Sequence, residues 1–369
     1  MRYEQIDRMT GVGLSDAFRG YGASILASFR DHTWFAVLLL AYTVVAIGIS
    51  LGWGSSDFDW LRLYVVDFLP KLLLFVAGCL ILRVLHALVI VRPRRLTRYI
   101  LADLTANPRV HQRFATGLPI VLLLPLFFSI FTSIKILIPA MNPFGWDHAF
   151  ADLDMALHGG TPPWQLLQPL IGYPIITDLI DGLYFQWFFI FQIVCFWQAF
   201  SLRNALLRKQ FFLTFLLLWV VVGNGLAILL SSAGPCFYEA VAGSPDPYAP
   251  LMQYLRSIDE TRSITAVSLQ DWLWQSYQHA GGGIGKGISA MPSIHVGVAF
   301  VLALLGWHTH RFLGVIFGLY CGLILIGSVH LGWHYAVDGY VAIIASYVLW
   351  RCVGWWLTRP APSPVPVIS

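Results

Sequence analysis

Charge is what this sequence has least of. Only 11% of its 369 residues are Asp, Glu, Lys or Arg, while 57% are hydrophobic. Ordinary soluble domains carry about 25% charged residues. The 23 basic and 19 acidic side chains here cannot clothe a water-soluble globule of this length, which excludes a soluble enzyme. A net charge of +4 on so apolar a chain is no footprint for nucleic acid. Cysteine is also scarce, with five residues and no CxxC pair. Cys79, Cys195, Cys321 and Cys352 fall in apolar runs and Cys236 stands alone in a loop, so neither a disulfide framework nor a metal-ligand spacing is suggested. A cleavable leader is not expected, because residues 1–32 mix polar and apolar side chains and no A-x-A site follows the first apolar run. Within that stretch, Gly13 to Phe29 reads as a helix on the membrane surface or as a partly ordered tail. No internal repeat is visible, and the one biased tract is the Pro-rich end, PAPSPVP.

What the chain has instead is long apolar runs. A helix needs about 20 apolar residues to cross the hydrocarbon core. Eight runs reach or approach that length: 34–53, 66–91, 116–139, 179–200, 211–231, 293–309, 312–329 and 336–357. The sixth and seventh are separated only by the polar turn at His308, His310 and Arg311 and predict a tight helical hairpin. With the first residues inside, 16 of the 23 Lys and Arg fall in cytoplasmic segments. Outside are only Arg62, Arg256, Arg262 and Lys286, while Lys71, Arg83 and Lys135 lie within spans. This bias places both termini in the cytoplasm. The expected architecture is therefore an all-α, multi-pass transmembrane helical bundle of about eight spans. Two outer segments are long. Residues 140–178 predict short interfacial helices with aromatic anchors. Residues 232–291 predict an amphipathic helix around Ser268 to His279 and a glycine cluster at 281–287. Such long connections are usually lids or binding loops.

Two strings at outer span ends concentrate chemistry: GIGKGISAMPSIHVG (283–297) and GSVHLGWHYAVDG (327–339). Pro292 and Ser293 suit a helix start, and a helix N-terminus is an anion site. The preceding glycines allow close approach to a phosphate or serve as a linker, and Lys286 adds charge. His334 and Asp338, four apart, share a helix face. The carboxylate can fix one imidazole nitrogen and leave the other nucleophilic. Ionisable groups at span ends are functional by default, although a lone interfacial His more often just bonds a neighbouring backbone. A zinc site at His330, His334 and Asp338 is the chemical rival, since His pairs at this spacing bind zinc.

PSIH followed some forty residues later by HYAVD resembles the type 2 phosphatidic acid phosphatase superfamily, whose motifs run KxxxxxxRP, PSGH and SRxxxxxHxxxD. The local flavour is similar to its inositol phosphorylceramide synthase-like branch, as are SAGPCFY (232–238) and the Asp, LHGG and Pro-Trp of 146–164. The resemblance implies a six-span phosphatase-like core over 116–357, after an N-terminal segment (1–115) with two further spans and before a Pro-rich tail (358–369). It implies His334 as a nucleophile carrying a phosphohistidine, Asp338 as its orienting carboxylate and His295 as general acid. Ser293 and nearby backbone N–H groups would hold phosphate oxygens, with no metal or other cofactor. Two motif cations are missing. Ser328 stands at the Arg position and no KxxxxxxRP occurs, so Lys286, Arg262, Arg256 or His330 are the candidates to supply that charge.

The expected activity is an integral membrane lipid phosphotransferase or phosphatase acting on a lipid phosphate or phospholipid away from the cytoplasm. Water as acceptor would make it a phosphatase, and a lipid or polyol hydroxyl a transferase. From another class, a transporter or a catalytically silent lipid-binding protein would use Lys71, Arg83, Lys135 and Asn224 as a polar pathway. The lack of an N-x-[ST] sequon points towards a bacterial plasma membrane. The expected partners are the bilayer and the lipid substrate, with no nucleic acid.

Overall fold

A backbone inside hydrocarbon must satisfy its own N–H and C=O groups, and a run of Leu, Ile, Val and Phe does so as a helix. In the computed structural model, which describes residues 14–53, 62–279 and 287–359, every regular element is a helix among the described residues. The order is α1 (Leu14–Asp31), α2 (Thr33–Trp53), α3 (Arg62–His86), α4 (Leu96–Ala106), α5 (Pro108–Met141), α6 (Asp147–Leu157), α7 (Pro163–Ile171), α8 (Pro174–Phe185), α9 (Trp187–Ala199), α10 (Ala205–Leu217), α11 (Ala249–Arg262), α12 (Thr265–Gln278), α13 (Ile294–Thr309), α14 (Arg311–His330) and α15 (Ala336–Thr358). Wider turns, one in α3 and about two in α10, extend these helices through Val91 and Leu226. Among the described residues, seven helical stretches are long and apolar enough to cross a membrane: Thr33–Trp53, Phe68–Val91, Pro108–Met141, Pro174–Ala199, Ala205–Leu229, Arg311–His330 and Ala336–Thr358. The protein is an all-α, multi-pass integral membrane protein. The sixth expected run forms α13, whose 16 residues rise about 24 Å, short of the roughly 30 Å hydrocarbon thickness.

The chain divides into two compact units, residues 1–141, 188–204 and 272–288 in one and 142–187, 205–271 and 289–369 in the other. In the first, Tyr42 of α2 meets Phe127 of α5, and Phe68 and Phe75 of α3 meet Phe196 of α9. Gly117 of α5 lies against the Phe200 ring, where any side chain would collide. The hydroxyls of Ser129 and Ser133 on α5 donate to carbonyls one turn back, so their polarity is absorbed by the helix. Leu73, Leu74, Leu82 and Ile90 of the second span are exposed, as lipid-facing side chains are. Arg83 pairs with Asp103 of α4 and so holds a partner within the first unit.

In the second unit α13 is the central helix, with Val298, Val301, Leu302 and Leu305 fully buried. The hairpin expected from the His308–Arg311 turn is present. The His310 Nδ1 accepts from the Phe312 N–H at 3.2 Å, starting α14 directly after α13. Glycines bring the helices together: Gly306 lies against the Leu313 backbone and Gly339 of α15 against Leu325. Small residues at helix contacts are what allow this in membranes. Asn224 of the wide turn donates to the Gly223 carbonyl.

The outer segments are more helical than hydropathy predicts. Residues 140–178 hold α6, α7 and the start of α8, and the helix expected around Ser268 appears as Thr265–Gln278. Residues 249–262 form α11, a helix not expected from the sequence because it is polar on most of its surface and buries only Leu251, Leu255 and Ile258. The expected glycine cluster falls mostly on 280–286, outside the described residues, as do Lys286 and the Pro-rich tail.

Candidate active site

Ser293 caps α13, its Oγ accepting from the Val296 N–H at 3.4 Å. The local sequence dictates this start, because a hydroxyl at the N-cap satisfies a donor that the helix cannot. His295 sits in the first turn, with its ring 4.3 Å from Trp187 and 5.1 Å from Tyr184, centroid to centroid. The Trp187 Nε1 donates to the His295 carbonyl at 3.0 Å, fixing that turn.

His334 lies in the five-residue link between α14 and α15. Gly332 takes a left-handed backbone (φ +73°) and turns the chain. The N–H groups of Trp333 and His334 both donate to the Ser328 carbonyl, at 2.9 and 3.1 Å. One turn into α15, the Asp338 Oδ2 accepts from the Tyr335 N–H and meets the His334 Nδ1, each at 3.1 Å. A buried carboxylate facing Nδ1 favours the tautomer whose Nδ1 carries the proton, which leaves the Nε2 lone pair available. Asp338 is fully buried and His334 nearly so. The His295 and His334 rings lie 6.2 Å apart. The Ser293 N–H donates to the Asp338 carbonyl, which joins the two strings directly. The structure thus brings together Ser293, His295, His334 and Asp338.

The remaining named residues hold other partners. Arg262 ends α11 in an exposed ion pair with Asp178, and Arg256 pairs with Asp271. The Ser328 hydroxyl donates to the Leu325 carbonyl, so this residue meets the site through its main chain. His330 is fully buried, and its Nε2 shares a hydrogen bond with Thr177 at 2.8 Å. No group of three or more His, Cys, Asp or Glu able to hold a metal occurs among the described residues.

Three buried aspartates missed by the sequence reading build the frame. Asp147 of α6 accepts from the N–H groups of Ala233 and Gly234, at 3.0 and 2.8 Å, and from the Tyr335 hydroxyl at 2.8 Å. Burial pushes its carboxyl up from the ordinary value, against the downward pull of those three donors. Asp154, one helix face on, takes the first two N–H groups of α15, those of Ala336 and Val337, at 2.7 and 2.9 Å. Burial raises its carboxyl as well. Asp181 of α8 does the same for α12 through Thr265 and Ala266. A carboxylate at a helix N-terminus is favoured by dipole and donors alike.

The loop SSAGPC (231–236) ties both strings to this frame. Ser232 accepts from Ala290 and Met291, and the Cys236 N–H donates to the Gly332 carbonyl at 2.9 Å. Gly234, at φ +100°, leaves no room for a Cβ, which would lie 2.7 Å from the Trp333 carbonyl oxygen and 3.1 Å from the Ala290 methyl. The signal for Asp147 and Asp154 was their spacing of seven, two turns of one amphipathic face in an outer loop otherwise free of basic residues.

A family model described as the PAP2 superfamily matches residues 148–352, more than half of the chain. No curated protein and no solved structure gives a match.

Proposed function

This chain belongs to the PAP2 superfamily, and from that premise we propose that it transfers the phosphoryl or phospho-head group of a lipid through a phosphohistidine at His334. The observation that carries the reading is the buried Asp338 carboxylate 3.1 Å from the His334 Nδ1, with the His295 ring 6.2 Å across. The His334 Nε2 attacks phosphorus and forms the P–N bond while the P–O bond to the leaving group breaks. The electron pair departs on the ester oxygen, which takes the proton held by a protonated His295. In the second half an acceptor hydroxyl gives its proton to His295 and its oxygen attacks phosphorus. The P–N bond then breaks and its pair returns to His334. Asp338 stabilises the positive charge that His334 carries in between. Ser293 and the first turn of α13 receive phosphate oxygens, and Lys286 adds positive charge.

Near-complete burial of His334 supports an acceptor that displaces water, so transfer to a lipid or polyol hydroxyl, as in the inositol phosphorylceramide synthase-like branch, is placed ahead of hydrolysis. The distribution of Lys and Arg supports an extracytoplasmic site for this chemistry. The test is to incubate purified protein with lipid phosphates and follow released phosphate and new lipid. Wild type turns substrate over and His334→Ala does not. Identical behaviour of the two defeats the enzyme reading, and activity that vanishes in chelator and returns with zinc defeats the metal-free route.

A further inference from the structure

The site contains buried donors with nothing to bond. The Tyr184 hydroxyl, near the end of α8, and the Trp333 Nε1, in the residue before His334, are shielded from solvent and have no hydrogen-bond partner among the described residues. Buried polar atoms of this kind are few in folded proteins, and each calls for a reason. The Tyr184 ring lies against His295, and Trp333 directly precedes His334 in the chain. The Tyr184 ring stacks on His295 with 21° between planes, and it fits there because Gly327 of α14 presents no side chain, a Cβ at that position lying 3.3 Å from the Tyr184 ring. Trp333 is held through its own N–H by the Ser328 carbonyl, the same acceptor that holds His334.

Ser328 stands where the family pattern has a cation, and Arg256 and Arg262 are committed to Asp271 and Asp178. A phosphoryl group arriving at His334 still gains charge on its non-bridging oxygens, and preorganised neutral donors meet such charge as effectively as a tyrosine or backbone N–H in an oxyanion hole. We infer that the Tyr184 hydroxyl and the Trp333 indole N–H are catalytic donors to the non-bridging oxygens of the transferred phosphate. The inference rests on the reading of His334 and His295 above, and adds the groups that neutralise the phosphate. Empty, the two donors cost the fold stability, and occupied, they lower the barrier.

The experiment follows turnover of phosphatidic acid and phosphatidylinositol in mixed micelles by the full-length wild type and by Tyr184→Phe, Trp333→Phe and His334→Ala. Inhibition by orthovanadate and the thermal midpoint are measured beside it. Tyr184→Phe keeps the ring and removes only the orphan, so kcat/KM falls about 100-fold, vanadate inhibition weakens, and the midpoint holds or rises. Trp333→Phe lowers kcat/KM and vanadate sensitivity in the same direction. Either variant within twofold of wild type overturns the inference. So does a loss of activity that comes with a lower midpoint and unchanged vanadate inhibition. An active His334→Ala brings down the underlying reading instead, whereas an inactive His334→Ala beside a wild-type-like Tyr184→Phe brings down this inference alone.

Discussion

Removing the Asp147 carboxylate tests how the site is held. Its side chain is 2% exposed and accepts from the Ala233 N–H, the Gly234 N–H and the Tyr335 hydroxyl. Asp147→Ala leaves all three donors buried without an acceptor. An orphaned donor costs about 1–3 kcal/mol, and three in the lower half of that range give about 3–6 kcal/mol, a large share of the 5–15 kcal/mol typical of a whole domain. Asp147→Asn keeps one carbonyl oxygen and loses about 1–2 kcal/mol. Freed from Asp147, Tyr335 no longer fixes its own N–H on the Asp338 Oδ2. Misplacement of about 1 Å costs on the order of 100-fold in kcat, with KM nearly unchanged. The assay is denaturant unfolding in detergent beside kcat and KM for both variants. The sign with pH follows from burial, which raises the folded-state pKa of Asp147 above its unfolded value. The protonated carboxyl then contributes its full stability below the ordinary carboxylate range, and that contribution is lost as pH rises through the folded value. The gap between wild type and the non-titrating Asp147→Asn therefore narrows from acid pH towards neutrality. An Asp147→Ala variant within about 0.5 kcal/mol of wild type and with normal kcat would refute the reasoning.

Other substitutions probe separate contacts. Gly234→Ala places a methyl 2.7 Å from the Trp333 carbonyl oxygen on a left-handed backbone, and it lowers both the unfolding midpoint and kcat, measured side by side. Asp338→Asn keeps the shape but favours the wrong His334 tautomer, so kcat falls by about 10⁴-fold, as for the orienting aspartate of a serine protease, and a retained kcat counts against the assigned role. Arg262→Ala removes an exposed pair with Asp178, worth about 0–1 kcal/mol, and leaves kcat/KM within about fivefold; a larger fall assigns Arg262 to the phosphate.

How far this was legible in the sequence depends on the kind of residue. Span positions followed from hydropathy because lipid forces each run to form its own hydrogen bonds. α13 alone came out short of a full span, starting only where Ser293 caps it. His295, His334 and Asp338 were legible because spacing places them on helix ends and because their motifs are local in sequence. Asp147 was not, since its partners at 233, 234 and 335 lie 86 or more residues away, and acidic residues in an outer loop look like ordinary solvated charge unless their spacing is read as one helix face. α11 was hidden for the opposite reason, its three buried side chains making too weak an apolar stripe among polar residues. The cations singled out by their scarcity on the outer side, Arg256 and Arg262, each pair with an acidic neighbour, Asp271 and Asp178, that lies far off in sequence or on another helix and so was not visible beforehand.

The central claim is a covalent P–N bond at His334. The most direct measurement is rapid acid-free quenching of the purified protein during turnover of a lipid labelled at its phosphorus, followed by peptide mapping. The account predicts label that is stable to base, labile to acid, confined to the peptide holding His334, and absent from His334→Ala. Turnover at the full rate with no label trapped, or label carried by another residue, would contradict it.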